Sequence, residues 1–295
     1  MDLVARFRSE VALFETAVRR AAAEPDAPSV PPCPGWTVSD LVLHLGQVHR
    51  VVDAVLRTRL TDPPQGTVPD FGLPAEREGW PDPDGGPTPG PVPAALVAWF
   101  ADGARQLGDT FAATDPATRV WTWAPEQTAG FWLRMQAVEA AVHRWDAERS
   151  VGEPGPMERS LACDAVAQTF EVMAPARRAR LAAPAGAGET YRLIATDGPE
   201  SWTVRFSGAD VEYPAHAVGP ADPAAAAAAA PTATAAPPEA NVPPAAPHHH
   251  GSTAELRGSA SDLMLFLWDR LPLDRLTVTG DPAVAARYFV LVPPV

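Results

Sequence analysis

The sequence predicts a helical N-terminal domain over residues 1–182 and a smaller α/β domain over 183–295, the second interrupted by a linker. Three observations carry this reading. The chain has 295 residues, long enough for two domains with cores of their own. Apolar residues recur at helical spacing through the first part. After about residue 182 the pattern changes to short β-type runs separated by the turn signals Asp197-Gly198 and Ser207-Gly208.

Leu3, Phe7, Val11, Phe14 and Val18 place a first helix over 2–22. A loop with Pro25, Pro28, Pro31, Pro32 and Pro34 follows. Thr37 then reads as an N-cap with Asp40 three residues on, an Asp variant of the capping box, and the helix it starts runs to about Leu60. Residues 62–92 are dense in Pro, Gly and Asp and read as a long loop. A third helix fits about 93–113. A loop with Trp121 and Trp123 leads into a fourth near 130–150, closed by Gly152 and Pro154, and a fifth fits 158–181. Tyr191–Ala195, Trp202–Phe206 and Val211–Tyr213 read as strands. Residues 214–250 are an Ala/Pro-rich insertion, expected to be disordered or PPII-like. Order resumes at Ala254–Leu256, with a helix at Ser261–Arg270 and a strand at Arg275–Thr279. In Gly280-Asp281-Pro282, Asp is a good N-cap and Pro a good first helical residue.

Composition excludes several classes of function. The net charge is -13 and every basic side chain apart from histidine is arginine. Without lysine there is neither a Schiff-base lysine nor a Walker A phosphate loop. An acidic chain with no basic run is a poor partner for nucleic acid or anionic membranes. The two cysteines, Cys33 and Cys163, do not make a disulfide framework. Asp2, Arg6, Arg8 and Glu10 precede any apolar stretch, unlike a signal peptide, and the alanine run at 224–230 is flanked by proline and is no membrane span. A reduced, cytoplasmic protein is expected. The G-x-S-x-G, G-x-G-x-x-G and H-E-x-x-H motifs are missing from the sequence.

The residues that carry chemistry lie on two of the helices. Glu139 and His143 are four apart and share a helix face, with Asp146 three further on. His44, on the second helix, can add a third ligand inside a bundle. Two imidazoles and one carboxylate make the ligand set of an open catalytic zinc site. His49 lies five residues beyond His44, about 140° around the helix, and faces elsewhere. Each residue also has a bland reading. Glu139-x-x-x-His143 is the spacing of an ordinary helix-face ion pair, Asp40-x-x-x-His44 has the same spacing with Asp40 explained as a cap, and His44 could be a buried histidine bonded to a carbonyl. Asp146 reads better as an ion-pair residue, or one that orients an imidazole, than as a ligand. Cys33 could be an activated thiol near a helix start, but packing of the Pro-Gly turn is preferred. Cys163 reads as core, and His248-His249-His250 as a solvated tract. Trp36 and Trp145 flank the proposed ligands and could wall a pocket.

Cys33-Pro34-Gly35-Trp36-Thr37-Val38 through His44-Leu45-Gly46, Phe131-Trp132-Leu133-Arg134-Met135, and Glu139 through Asp146 resemble the mycothiol-dependent maleylpyruvate isomerase family. Gly258-Ser259-Ala260-Ser261-Asp262-Leu263 to Leu267-Trp268-Asp269-Arg270, and Thr277-Val278-Thr279-Gly280-Asp281-Pro282, are similar to its C-terminal domain. The resemblance spans nearly all of the chain except 62–92 and 214–250. It implies a DinB-like four-helix bundle with a smaller α+β C-terminal domain, and a divalent metal, usually zinc, whose ligands match His44, Glu139 and His143. It implies mycothiol as thiol cosubstrate and places Arg270 in a motif linked to the active site. Two departures stand out: Val138 where the family often has histidine, and the 214–250 insertion.

The implied function is a thiol-dependent metalloenzyme, an isomerase or S-transferase. Its partners are a low-molecular-weight thiol and a small electrophile, with no nucleic acid and no membrane. Sulfur addition to a conjugated substrate makes a double bond rotatable; elimination then returns the isomer, or the adduct is released. Arg270 would hold a substrate carboxylate. Two other readings remain: a metal-dependent hydrolase with Asp146 as base, and a non-catalytic protein that binds a metal or small ligand.

Overall fold

The computed structural model describes residues 1–64, 72–82, 86–214 and 253–294. Most of the Ala/Pro-rich insertion, with His248–His250, and part of the 62–92 loop lie outside the described residues. The described chain forms two compact units, Met1–Ala162 and Cys163–Val295.

Four long helices build the first unit: α1 (Leu3–Ala21), α2 (Val38–Thr58), α3 (Ala94–Ala113) and α4 (Ala129–Val151). Local chemistry sets their ends. Asp2 accepts the Ala5 N–H at 3.0 Å ahead of α1, and the Thr128 hydroxyl accepts the Phe131 N–H at 3.1 Å ahead of α4. Gly152 ends α4 with φ +158°. Helix α1 packs on α3 and α4, and α2 packs on the same two helices, with Phe7, Phe14, Leu41, Leu45, Leu96 and Phe100 fully buried.

Helix α4 is buried on nearly every side, and with it the polar residues Gln136, His143, Arg144 and Asp146. Such residues need partners. Arg144 finds Glu10 of α1 at 2.9 Å with both side chains 3% exposed, Glu148 at 2.7 Å, and the carbonyls of Gly155 and Pro156. His49 of α2 is also fully buried, ring against Phe7 and Phe100 at centroid distances of 5.3 and 5.5 Å. Neither ring nitrogen has a hydrogen-bond partner among the described residues. Burial pushes the pKa of this imidazole down to about 3, against a smaller opposing effect of Glu139.

The fifth predicted helix is segmented: α5 (Arg159–Gln168), a π-helical turn at Thr169–Met173, and α6 (Ala174–Arg180). Pro175 has no N–H to give the carbonyl four residues back, and the helix widens just ahead of it. The sequence reading assigns all of this segment to the first domain, whereas the compact units part inside α5, at Ala162/Cys163. Cys163 is half-buried on α5.

The second unit holds a five-stranded sheet of β1 (Gly186–Ala195), β2 (Ser201–Gly208), β3 (Asp210–Glu212), β4 (Thr253–Gly258) and β5 (Thr277–Gly280), in the order β3-β2-β1-β4-β5. Strands β1 and β4 pair in parallel and every other pair is antiparallel. Helices α7 (Ala260–Leu267), α8 (Pro282–Ala286) and α9 (Tyr288–Leu291) complete it, with Tyr191, Trp202, Phe206, Phe266 and Tyr288 in its core. Asp281 caps α8 with Pro282 as first residue, as the sequence implies, its side chain accepting the Ala283 N–H at 2.9 Å. Helix α7 is shorter than expected, because Asp269 adopts φ +60° after Trp268 and leaves Arg270 beyond the helix. Among the described residues no helix is long and apolar enough to cross a membrane.

Two outcomes test this packing. Glu10→Ala removes the buried partner of Arg144 and is expected to cost about 3 kcal/mol in urea unfolding, the low end for a broken buried pair because Glu148 remains. For His49, the unfolded chain takes up a proton below about pH 6.5 and the folded chain does not. Its contribution is therefore complete above that pH and declines by about 1.4 kcal/mol per pH unit as pH falls toward 3. Unfolding curves at pH 7 and pH 5 should show His49→Leu losing less stability on acidification than wild type.

Candidate metal centre

Helices α2 and α4 pack face to face, and the contact brings His44 of one against Glu139 and His143 of the other. One donor atom from each residue lies within 4.8 Å of the other two. His44 Nε2 is 3.6 Å from Glu139 Oε1, and the His44 and His143 rings meet edge to face at 5.2 Å. Tetrahedral donors at zinc distances stand about 3.4 Å apart, so small side-chain adjustments close this set on an ion.

Glu139 and His143 each have a hydrogen-bond partner on the side away from the cluster. His143 Nδ1 donates to Asp146 Oδ2 at 3.0 Å, because a carboxylate oxygen can only accept. That bond fixes the tautomer and turns Nε2 toward the cluster. Gln136 Nε2 donates to Glu139 Oε2 at 2.6 Å, leaving Oε1 toward His44. The Trp36 ring lies 5.0 Å from the His44 ring, so the tryptophan does wall the site; Trp145 is buried on α4. The donor set therefore fits a divalent cation.

The charge states of Glu139 and His143 fit as well. Burial opposes ionisation of Glu139, yet the neighbouring His44 and His143 imidazoles and the Gln136 hydrogen bond together hold its carboxyl below the usual range. Burial lowers the His143 pKa despite Asp146, which favours the neutral ring. An ionised carboxylate and a neutral imidazole are forms that ligate metal.

The local sequence explains how His44 is delivered. In the turn before α2, the Trp36 N–H donates to the Cys33 carbonyl at 3.0 Å and Gly35 takes φ +86°, a left-handed conformation that glycine accepts freely. Asp40 Oδ2 then receives the Thr37 N–H and hydroxyl, both at 2.7 Å, which is the capping role read from the sequence. Asp40 also receives the Thr88 hydroxyl on Oδ1 at 2.7 Å and the Thr88 N–H on Oδ2 at 3.1 Å, anchoring the following loop to α2. Burial alone would raise the Asp40 pKa, but these four bonds hold it below the usual value. Asp40 is thus fully engaged away from the cluster.

Cys33 sits half-buried in the same turn, and its thiol donates to Asp146 Oδ2 at 3.7 Å. A neighbouring carboxylate disfavours the thiolate, so this contact does not activate the thiol. His49 is not part of the cluster and packs in the aromatic core. Val138 is fully buried. Arg270 belongs to the second unit, where its N–H donates to the Leu265 carbonyl and Nη1 to the Trp268 carbonyl, both at 2.8 Å. The sequence reading did not include Gln136 or Thr88. The i,i+3 spacing of Gln136 and Glu139 was a usable signal, whereas nothing local linked Thr88 to Asp40.

The family model of the mycothiol maleylpyruvate isomerase N-terminal domain matches residues 4–148. Among solved structures, a crystal structure of a mutant mycothiol-dependent maleylpyruvate isomerase matches with a TM-score of 0.54 and 14% sequence identity, covering 94% of this chain and 92% of that one. That likeness concerns the fold. No curated protein matches the sequence.

Proposed function

Residues 4–148 belong to the mycothiol maleylpyruvate isomerase family as its N-terminal domain, and on that premise we propose that the chain is a mycothiol-dependent metalloenzyme acting on a small electrophile. The observation that carries the reading is the convergence of His44, Glu139 and His143 within 4.8 Å. We assign these three residues as ligands of a divalent metal, zinc by the chemistry of two imidazoles and one carboxylate.

When bound, such an ion supplies the Lewis acidity that makes a coordinating thiol a thiolate at neutral pH. The residues of the chain do the rest. Asp146 holds the His143 ring in one tautomer, and Trp36 covers the flank of His44. The reaction is addition of the cosubstrate sulfur to a conjugated carbon, with the displaced electron pair moving onto the substrate's carbonyl oxygen. Rotation and loss of the sulfur give isomerisation; protonation and release give conjugation. Arg270 is the residue we assign to a substrate carboxylate, which its planar fork suits. The setting is cytoplasmic, where a low-molecular-weight thiol stays reduced.

A hydrolytic reading needs Asp146 as general base. Asp146 is fully buried and bonded to His143 and Cys33, which favours the thiol reading.

Protein purified without chelators is expected to carry about one divalent metal per chain, and His44→Ala or Glu139→Ala to abolish it. Elemental analysis that finds no metal in wild type would end the assignment. With metal-loaded protein, a panel of conjugated electrophiles should react only when mycothiol is present. Arg270→Gln should raise KM for carboxylate-bearing members about tenfold or more. Equal rates with and without mycothiol would exclude the cosubstrate.

A further inference from the structure

We infer that Gln136 is a positioning residue that holds Glu139 to a single ligand oxygen, and so keeps one position of the centre clear for an exogenous thiol. The inference rests on the metal-centre reading above. It concerns a residue that has no part in that ligand set.

The geometry is short and specific. Gln136 precedes Glu139 by one helical turn on α4, and its Nε2 donates to Glu139 Oε2 at 2.6 Å. The other oxygen, Oε1, is the one that faces His44 Nε2 at 3.6 Å. A carboxylate can only accept, so the amide nitrogen must be the end turned toward it. Gln136 is fully buried, so packing locks its side chain.

Packing alone does not explain a glutamine here. Its Oε1 is buried without a hydrogen-bond partner among the described residues. A leucine or methionine of similar volume would fill the same space and leave no orphaned carbonyl. What glutamine contributes at this position is the N–H donated to Glu139.

A carboxylate can meet a cation through one oxygen or both. An open catalytic site needs three protein donor atoms and a free position for the reacting group. With Oε2 held by Gln136, Glu139 offers one donor atom, and His44 and His143 supply the other two. Without that hold the carboxylate can rotate to offer both oxygens and compete with the thiol for the free position.

The test uses full-length protein loaded with cobalt(II), comparing wild type with Gln136→Met, which keeps the volume and removes the donor. Three readouts are taken: cobalt affinity, the visible ligand-field spectrum, and titration with mycothiol followed by the sulfur-to-cobalt charge-transfer band. We expect Gln136→Met to bind cobalt about 10–100-fold more weakly. Its visible bands should weaken, as they do at higher coordination number. The thiol concentration for half-saturation should rise about tenfold or more. A Gln136→Met protein that is folded by circular dichroism, with the wild-type spectrum and wild-type thiol titration, overturns the role of Gln136 and leaves the metal reading standing. A wild-type protein that takes up no cobalt overturns both. If Gln136→Met does not fold, Gln136→Asn, whose shorter side chain retracts the donor, is read in the same way.

Discussion

Taking a charged side chain out of water costs several kcal/mol unless its partner comes with it, and α4 places Glu139, Arg144 and Asp146 inside a bundle. The arrangement around α4 answers that constraint. Helix α1 brings Glu10 to Arg144, and the chain after α4 turns back so that two carbonyls reach the same guanidinium. Asp146 is satisfied by His143 and by the thiol of Cys33. Glu139 differs from these. Its close partners are an amide and an imidazole, neither of which carries a fixed positive charge. A half-buried carboxylate in such company is an electrostatic invitation to a cation.

The same constraint explains the setting of His44. The turn from Cys33 to Trp36 places one aromatic wall against His44 and one half-buried thiol against Asp146, and Asp40 ties both the start of α2 and Thr88 into one hydrogen-bonded unit. Asp40 and Glu139 illustrate two uses of a carboxylate in one pocket region. Asp40 accepts four hydrogen bonds from neutral donors and serves structure. Glu139 keeps one oxygen turned toward the imidazole of His44.

Much of this is legible in the amino-acid sequence. The helices α1 to α4 follow from apolar spacing and from caps that are local in sequence, such as Thr37 with Asp40. The pairing of Glu139 with His143 follows from helical periodicity, and the orienting role read for Asp146 agrees with its bond to His143. Other features depend on contacts between distant segments. The end of α7 before Arg270 turns on one left-handed residue, Asp269, whose side chain does not advertise that conformation. The interruption of α5 at a π-helical turn carries a proline signal, but its effect on how the chain divides into compact units depends on packing.

By itself the sequence determined which residue types were available and how they were spaced along helices: His44, Glu139 and His143 as candidate ligands, no lysine, and caps at the right offsets. Those properties are local, set by backbone periodicity and side-chain chemistry. Only the tertiary structure decided which of the bland and functional readings applied to each residue. His44 and His49 lie on one helix, five residues apart; one meets Glu139 and the other is sealed between phenylalanines. That difference arises because α2 packs on α4 along one face and against the aromatic core along another. No local pattern encodes which neighbour a helix face will meet.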